Sequence, residues 1–211
     1  GPNGAGKTTT LRMALGLVRP TSGSVHVLGG VPGDPTITAR VGALIEGPGF
    51  YPYLGGRANL RVMARYRGLP ESAADAALQR VDLADRGGDK FKSYSLGMKQ
   101  RLGVASALMG DPELIVLDEP TNGLDPAGMA DMRRLIVDLA SGGQTVILSS
   151  HLLAEVQDIC GRVGVISHGK LLREASVAEL RGTASLALCA TPAEAALEVA
   201  TEFAGQDAVR R

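Results

Sequence analysis

The chain opens on Gly1-Pro2-Asn3-Gly4-Ala5-Gly6-Lys7-Thr8, which satisfies the spacing G-x-x-x-x-G-K-[ST] residue for residue. Successive backbone N–H groups in such a glycine-rich turn form a concave donor surface for a phosphate. Lys7 places a positive charge between the outer phosphates, Thr8 supplies a hydroxyl to a magnesium ion, and Thr9 completes the nucleotide-binding segment. Gly1, Gly4 and Gly6 permit torsions and a close ligand approach that a Cβ would obstruct. On its own this loop means a nucleoside triphosphate and nothing finer.

A second chemical cluster follows the apolar run Leu114-Ile115-Val116-Leu117, which ends in Asp118 and Glu119. Such a run reads as a buried rod that delivers two carboxylates to a polar tip, and Pro120 then forces the chain out of the strand. Asp118 is expected to hold Mg²⁺ through water, as in phosphate-loop enzymes generally. Just upstream stands Ser95-Leu96-Gly97-Met98-Lys99-Gln100, and His151 follows another apolar run, Thr145 to Ser149.

This combination of phosphate loop, Ser-x-Gly run, aspartate-glutamate strand and later histidine resembles the ATP-binding cassette (ABC) family over roughly Gly1 to Leu180. The resemblance implies ATP and Mg²⁺ as ligands and an ATPase coupled to transmembrane transport. Glu119 matches the residue that polarises the attacking water, and His151 the one that contacts the γ-phosphate and steadies that water. Gly123-Leu124-Asp125-Pro126 resembles the loop that crosses the family's dimer interface, with Asp125 as its polar element. Ser95 and Gly97 match positions that contact the γ-phosphate bound by the other subunit, so two ATP molecules would lie between two chains facing head to tail.

Two departures from the family's pattern are visible. The usual Leu-Ser-Gly-Gly-Gln has Tyr94 for leucine, Leu96 for the first glycine and Met98 for glutamine, yet Ser95 and Gly97 survive. Glu46 stands where the family generally has a glutamine that senses Mg²⁺; a carboxylate can ligate the metal but cannot donate the hydrogen bonds of an amide. Ile45 to Tyr51, together with Ser95 to Arg101, is similar to the bacitracin-resistance and lantibiotic-immunity branch of bacterial exporters. That implies a partner permease in the membrane, with this chain peripheral on the cytoplasmic face as a homodimer or paired with a similar ATPase subunit.

The positioning elements read as an α/β architecture. Thr8 to Val18 has helical periodicity, Ser24 to Leu28 alternates as a short strand, and Val41 to Ile45 is an apolar run ended by Glu46-Gly47-Pro48-Gly49. From Arg57 to Arg86 two helical patterns are broken at Gly68-Leu69-Pro70, which places a helical subdomain at about residues 55–110. Helices are expected at Leu96 to Met109, Gly128 to Ala140 and Leu152 to Cys160, and strands at Leu114, Thr145 to Ser149 and Val163 to Ser167. Strands alternating with helices predict a mostly parallel sheet with helices on its faces, the P-loop NTPase (ABC ATPase) arrangement that the resemblance also implies. His26 and His168 match no motif.

Composition bounds the rest. A length of 211 residues supports one main core, here 1–182, and a small C-terminal extension at 183–211 with a strand at Ser185 to Ala190 and a helix at Pro192 to Phe203. The 22 Lys and Arg balance the 22 Asp and Glu, so no overall basic field favours nucleic acid. Cys160 and Cys189 lack metal-ligand spacing, and no run approaches the roughly 20 apolar residues of a membrane span. A phosphate loop normally turns from a strand into a helix, and none precedes Gly1, so an N-terminally truncated piece is expected. The rivals are a soluble ABC-type ATPase acting on nucleic acid or the ribosome, and an inactive remnant. Phe50, Tyr51, Tyr53 and Leu54 are concentrated enough to suggest either packing or a groove for a short permease helix.

Overall fold

The computed structural model describes residues 1–181 together with Glu194, Leu197, Val199, Thr201 and Glu202. Residues 1–177 form one compact unit and 178–211 another. The first unit is organised around β2 (Leu114–Asp118), in which all five residues are buried. Such a strand has no solvent face, so it must be flanked on both edges and covered on both sides. Strands β1 (Val41–Leu44) and β3 (Thr145–Ser149) pair with it in parallel, in the order β1-β2-β3, with Ala43 and Ile147 both opposite Val116. Parallel neighbours need crossovers, supplied here by helices. Helix α5 (Leu96–Leu108) presses on β1 so closely that a Cβ at Gly42 would lie 2.0 Å from the Ala107 carbonyl oxygen.

The helices α3 (Gly56–Tyr66) and α4 (Ser72–Arg80) share the main apolar core with α5 through Leu60, Ala64, Leu78 and Leu102, and the break between them falls at Gly68-Leu69-Pro70 as the sequence predicts. Asn59, 1% exposed, braces the preceding loop: its Oδ1 accepts the Tyr51 N–H at 2.8 Å and its Nδ2 donates to the Tyr51 and Gly55 carbonyls, each at 3.1 Å. A buried amide thus has its polar atoms paired, which offsets the cost of removing it from water. Phe50 packs edge-on against Phe91, whereas Tyr51 and Tyr53 stay exposed.

Several expectations are corrected. Helix α1 (Lys7–Ala14) stops four residues before Val18, because Gly16 takes a left-handed φ of 73° and the Leu17 N–H turns back to the Arg12 carbonyl. Ser24 to Leu28 is not a strand. Leu28 and Gly29 both have positive φ, so the chain reverses after a single pairing of Val27 with Gly30. The four-residue helix α2 (Pro35–Thr38), capped by the Asp34 side chain, has no counterpart in the sequence reading. Helices α6 (Pro126–Ser141) and α7 (Leu153–Ile159) lie within two residues of their expected starts.

The strand expected at Val163 to Ser167 is present as β4 (Arg162–Ser167), but among the described residues it does not join the parallel sheet. It pairs antiparallel with β5 (Lys170–Ser176) across a turn at His168-Gly169, both in left-handed conformation. In the second unit, residues 178–181 end the short helix α8 (Val177–Arg181), and Glu194, Leu197, Val199, Thr201 and Glu202 are helical, with the Thr201 hydroxyl donating to the Leu197 carbonyl. The strand expected at 185–190 lies outside the described residues. Among the described residues no helix is long and apolar enough to cross a membrane.

Candidate nucleotide site

The glycine-rich loop ends at Gly6, whose φ of 101° is a conformation L side chains rarely adopt, and from it α1 departs with Lys7 and Thr8 in its first turn. The loop is pinned to the β4–β5 hairpin. The buried Ala5 accepts the Gly169 N–H at 2.9 Å, and a Cβ at Gly1 would lie 2.1 Å from the Ile166 carbonyl oxygen. Pro2, Asn3, Gly4 and Thr9 are exposed, so the loop's rim faces solvent. Lys7 Nζ donates to the Gly1 and Pro2 carbonyls at 2.9 and 3.1 Å and lies 3.3 Å from Glu119 Oε1.

The tip of β2 meets this loop. Thr8 Oγ1 donates to Asp118 Oδ2 at 2.7 Å, and Ser149 Oγ donates to the other oxygen, Oδ1, at 2.5 Å. The same Ser149 oxygen accepts the Glu119 N–H at 3.0 Å. Glu119 leaves the strand with φ 48°, a left-handed turn unusual for a glutamate, and this aims its carboxylate at two cations or potential cations. Lys7 sits at Oε1, and His151 Nδ1 lies 2.7 Å from Oε2. Burial pushes the Glu119 carboxyl up, but the hydrogen bonds from His151 and Lys7 outweigh it and hold the pKa below the ordinary glutamate value. Glu119 therefore stands ionised near neutrality, with Oε1 facing Lys7 and Oε2 facing His151.

A hydroxyl and a strand-end carboxylate in contact are hard oxygen donors of the kind Mg²⁺ prefers. Thr8 and Asp118 thus fit the metal. Glu46 is elsewhere occupied: its carboxylate pairs with Arg12 at 2.5 Å, with φ 59° at Glu46 turning the chain after β1.

Ser95, Gly97 and Asp125 form a separate group. Ser95 caps α5 by accepting the Met98 N–H at 3.2 Å, and Asp125 caps α6 by accepting the Gly128 N–H at 3.2 Å. They line one cleft of about 430 Å³ with Leu96, Leu124 and Arg101. None of Lys7, Thr8, Asp118, Glu119 or His151 lines it. The loop and strand-tip residues read from the sequence therefore form one group, and Ser95, Gly97 and Asp125 another.

Three supporting residues escaped sequence reasoning. Ser149 links Asp118 to Glu119; the signal was a polar residue closing an apolar run, which is too common to single out. Tyr94, 4% exposed, donates its hydroxyl to the Arg86 carbonyl at 2.7 Å and tethers the run that starts at Ser95. Burial, then the charge of Asp89, raises its pKa, so it remains a donor. Arg101 joins α5 to α6 through Asp131 at 2.8 Å.

Comparison with known proteins agrees with this geometry. The family model described as ABC transporter matches residues 1–122. The bacitracin transport ATP-binding protein BcrA of Bacillus licheniformis is 48% identical over 178 residues, covering 82% of this chain and 58% of that protein. The lantibiotic transport ATP-binding protein SrtF of Streptococcus pyogenes is 41% identical over 174 residues, covering 82% of this chain and 76% of that protein. This chain spans 58% to 60% of the length of the BcrA proteins of B. licheniformis and Enterococcus faecalis. A solved structure titled ATP binding subunit of ABC transporter superposes with a TM-score of 0.73 at 27% identity, covering 85% of this chain and 78% of that one. CbiO1 from Clostridium perfringens shares the fold with a TM-score of 0.76 at 23% identity, over 99% of this chain and 83% of that one. With a matched phosphate loop, a matched carboxylate strand and relatives of this similarity, the chain belongs to the ABC transporter family.

Proposed function

We propose that this chain is the ATP-binding and ATP-hydrolysing part of a subunit that powers a membrane exporter of drugs or antimicrobial peptides. Residues 1–182 serve as the ATPase domain, with a helical subdomain at about 55–110, and 183–211 as a small extension. The loop Gly1 to Thr8, with Thr9, holds the triphosphate, and Lys7 moves from its carbonyl partners to the outer phosphates. Thr8 would hold Mg²⁺ directly and Asp118 through water, its two oxygens being already engaged by Thr8 and Ser149; Glu46 is the third proposed ligand. The metal would supply charge neutralisation at the outer phosphates. Glu119 accepts the proton of the attacking water while His151 steadies it.

The single observation that carries the two-subunit form of this reading is the separation of the half-sites: Ser95, Gly97 and Asp125 line a cleft that excludes Lys7 and Glu119. Residues proposed to contact a γ-phosphate, lining a cleft that their own chain's loop does not line, support a second copy or a similar subunit facing head to tail. The names of the relatives, bacitracin and lantibiotic transport proteins, support the class of cargo and a permease partner; the proposed place of this chain is peripheral, on the cytoplasmic face of the membrane. The exposed Tyr51 and Tyr53, beside the braced loop, are the proposed contact for a permease helix. Glu119→Gln keeps the shape of the site and removes the proton acceptor. Sedimentation of that variant with ATP should show an ATP-bound dimer that does not turn over; a monomer under saturating ATP, or parental turnover, overturns the proposal.

A further inference from the structure

Glu155, on α7, is a buried carboxylate that the proposed reaction leaves without a task. It is 2% exposed, its Oε2 accepts the Ser150 hydroxyl at 2.5 Å, and its Oε1 has no hydrogen-bond partner among the described residues. Ser150, itself 7% exposed, accepts the Leu152 N–H on the same oxygen at 3.0 Å. His151 lies between these two held residues, with its Nδ1 2.7 Å from Glu119 Oε2.

Burying a carboxylate with half its accepting capacity unused is costly, and an apolar side chain would fill an interior position more cheaply. What the carboxylate obtains here is a single short contact, made to the residue immediately before His151. The two adjacent serines divide the work: Ser149 ties the end of β3 back to Asp118 and Glu119, and Ser150 ties the following turn forward to α7. The histidine is thereby held from both sides of the chain.

We propose that Glu155 is a positioning residue for His151: through Ser150 it holds the turn that brings the imidazole to Glu119. This rests on the reading that the protein hydrolyses ATP with Glu119 and His151. Glu155 has no direct hydrogen bond to Lys7, Thr8, Asp118 or Glu119 among the described residues, and the proposal routes its influence on turnover through His151 rather than through the neighbouring Ser149.

The test is a double-mutant cycle with a spectroscopic readout. Glu155→Leu and, as a smaller perturbation, Ser150→Ala should each lower kcat about 10-fold or more, as expected for misplacing a site group rather than removing a general acid–base group, which costs about 10²–10⁴-fold, while ATP affinity stays within about two-fold, as for loss of an interaction absent from the bound ground state. Glu155→Gln should keep parental turnover, because its amide oxygen accepts the same hydroxyl. In a His151→Ala background neither Glu155→Leu nor Ser150→Ala should cost anything further. NMR of the His151 ring nitrogens in the nucleotide-free protein should show the Nδ1 environment altered by Glu155→Leu and restored by Glu155→Gln. Equal losses with and without His151, or an unchanged ring signal in Glu155→Leu, overturn the proposal. If the parent itself fails to hydrolyse ATP, the functional reading falls, while the ring signal still decides the positioning role.

Discussion

Lys7 and Glu119 form an ion pair at 3.3 Å, although one belongs to the phosphate loop and the other to the tip of β2. The same ammonium also donates to the Gly1 and Pro2 carbonyls, so its three donors are matched by three oxygens of the protein. A bound triphosphate must compete for that ammonium with groups that already satisfy it. Lys7→Ala should therefore cost ATP affinity the worth of one charge-assisted hydrogen bond, about 10- to 100-fold. Calorimetric titration with ATP and Mg²⁺ checks this; unchanged affinity would refute the placement of Lys7 at the phosphates.

The depressed pKa of Glu119 makes a prediction about acid. A carboxyl whose folded pKa lies below its unfolded one contributes stability above the unfolded value and loses it as pH falls through the folded value. The parent's thermal stability minus that of Glu119→Gln should thus decline on going from about pH 6 to about pH 3, the range around the reference glutamate pKa. His151→Ala removes one of the two cationic or hydrogen-bonding partners and should move the decline toward higher pH. A difference that is flat, or that grows on acidification, contradicts the assignment.

How far the fold could be read depended on whether a residue's partner was local. Leu114 to Asp118 was legible because full burial on both faces demands an unbroken apolar run, and β2 is buried throughout. The break at Gly68-Leu69-Pro70 was legible because proline and glycine act on their own backbone. Strand β5 was not, since the first five of its seven residues are exposed and its pattern carries no alternation. The end of α1 was overrun because Leu15, Leu17 and Val18 continue the apolar spacing past a left-handed Gly16. In the site, motif spacing identified Lys7, Thr8, Asp118 and Glu119, but the links among them, Thr8 to Asp118 and Lys7 to Glu119, each cross about 110 positions of sequence. Ser149 and the pairing of Arg12 with Glu46 have no local signature, so only the fold reveals them.

That pairing predicts how Glu46 behaves. Both side chains are substantially exposed, at 37% and 59%, so the ion pair contributes little to folding, under about 1 kcal/mol. Glu46→Gln should leave the unfolding midpoint nearly unchanged. It also removes a carboxylate that can ligate Mg²⁺, and the Mg²⁺ concentration that half-saturates ATP turnover should rise. Arg12→Gln frees the carboxylate from its competitor and should shift that concentration the opposite way. Titrating Mg²⁺ at saturating ATP separates the two variants; a common direction for both would remove Glu46 from the proposed ligands.

The proposed division of each site between two copies permits a test by mixing. In a head-to-tail pair each complete site combines the phosphate loop of one copy with Ser95 and Gly97 of the other. Lys7→Ala damages the loop side and Ser95→Ala the facing side, so each variant alone carries the same damage in both of its sites. When the two are mixed, a heterodimer has one site with both lesions and one with neither. Random pairing makes about half of the dimers mixed, each with one intact site of two, so turnover should return to about one quarter of the parental value per subunit if sites act independently. The recovery should be absent when either variant is measured alone and should depend on subunit exchange. A monomer that completes its own site cannot be rescued this way, because Lys7 and Ser95 would then have to be intact on the same chain. Mixing without recovery, where exchange is shown by an affinity tag on one variant, would return both half-sites to a single polypeptide and leave the cleft beside Ser95 without its proposed phosphate.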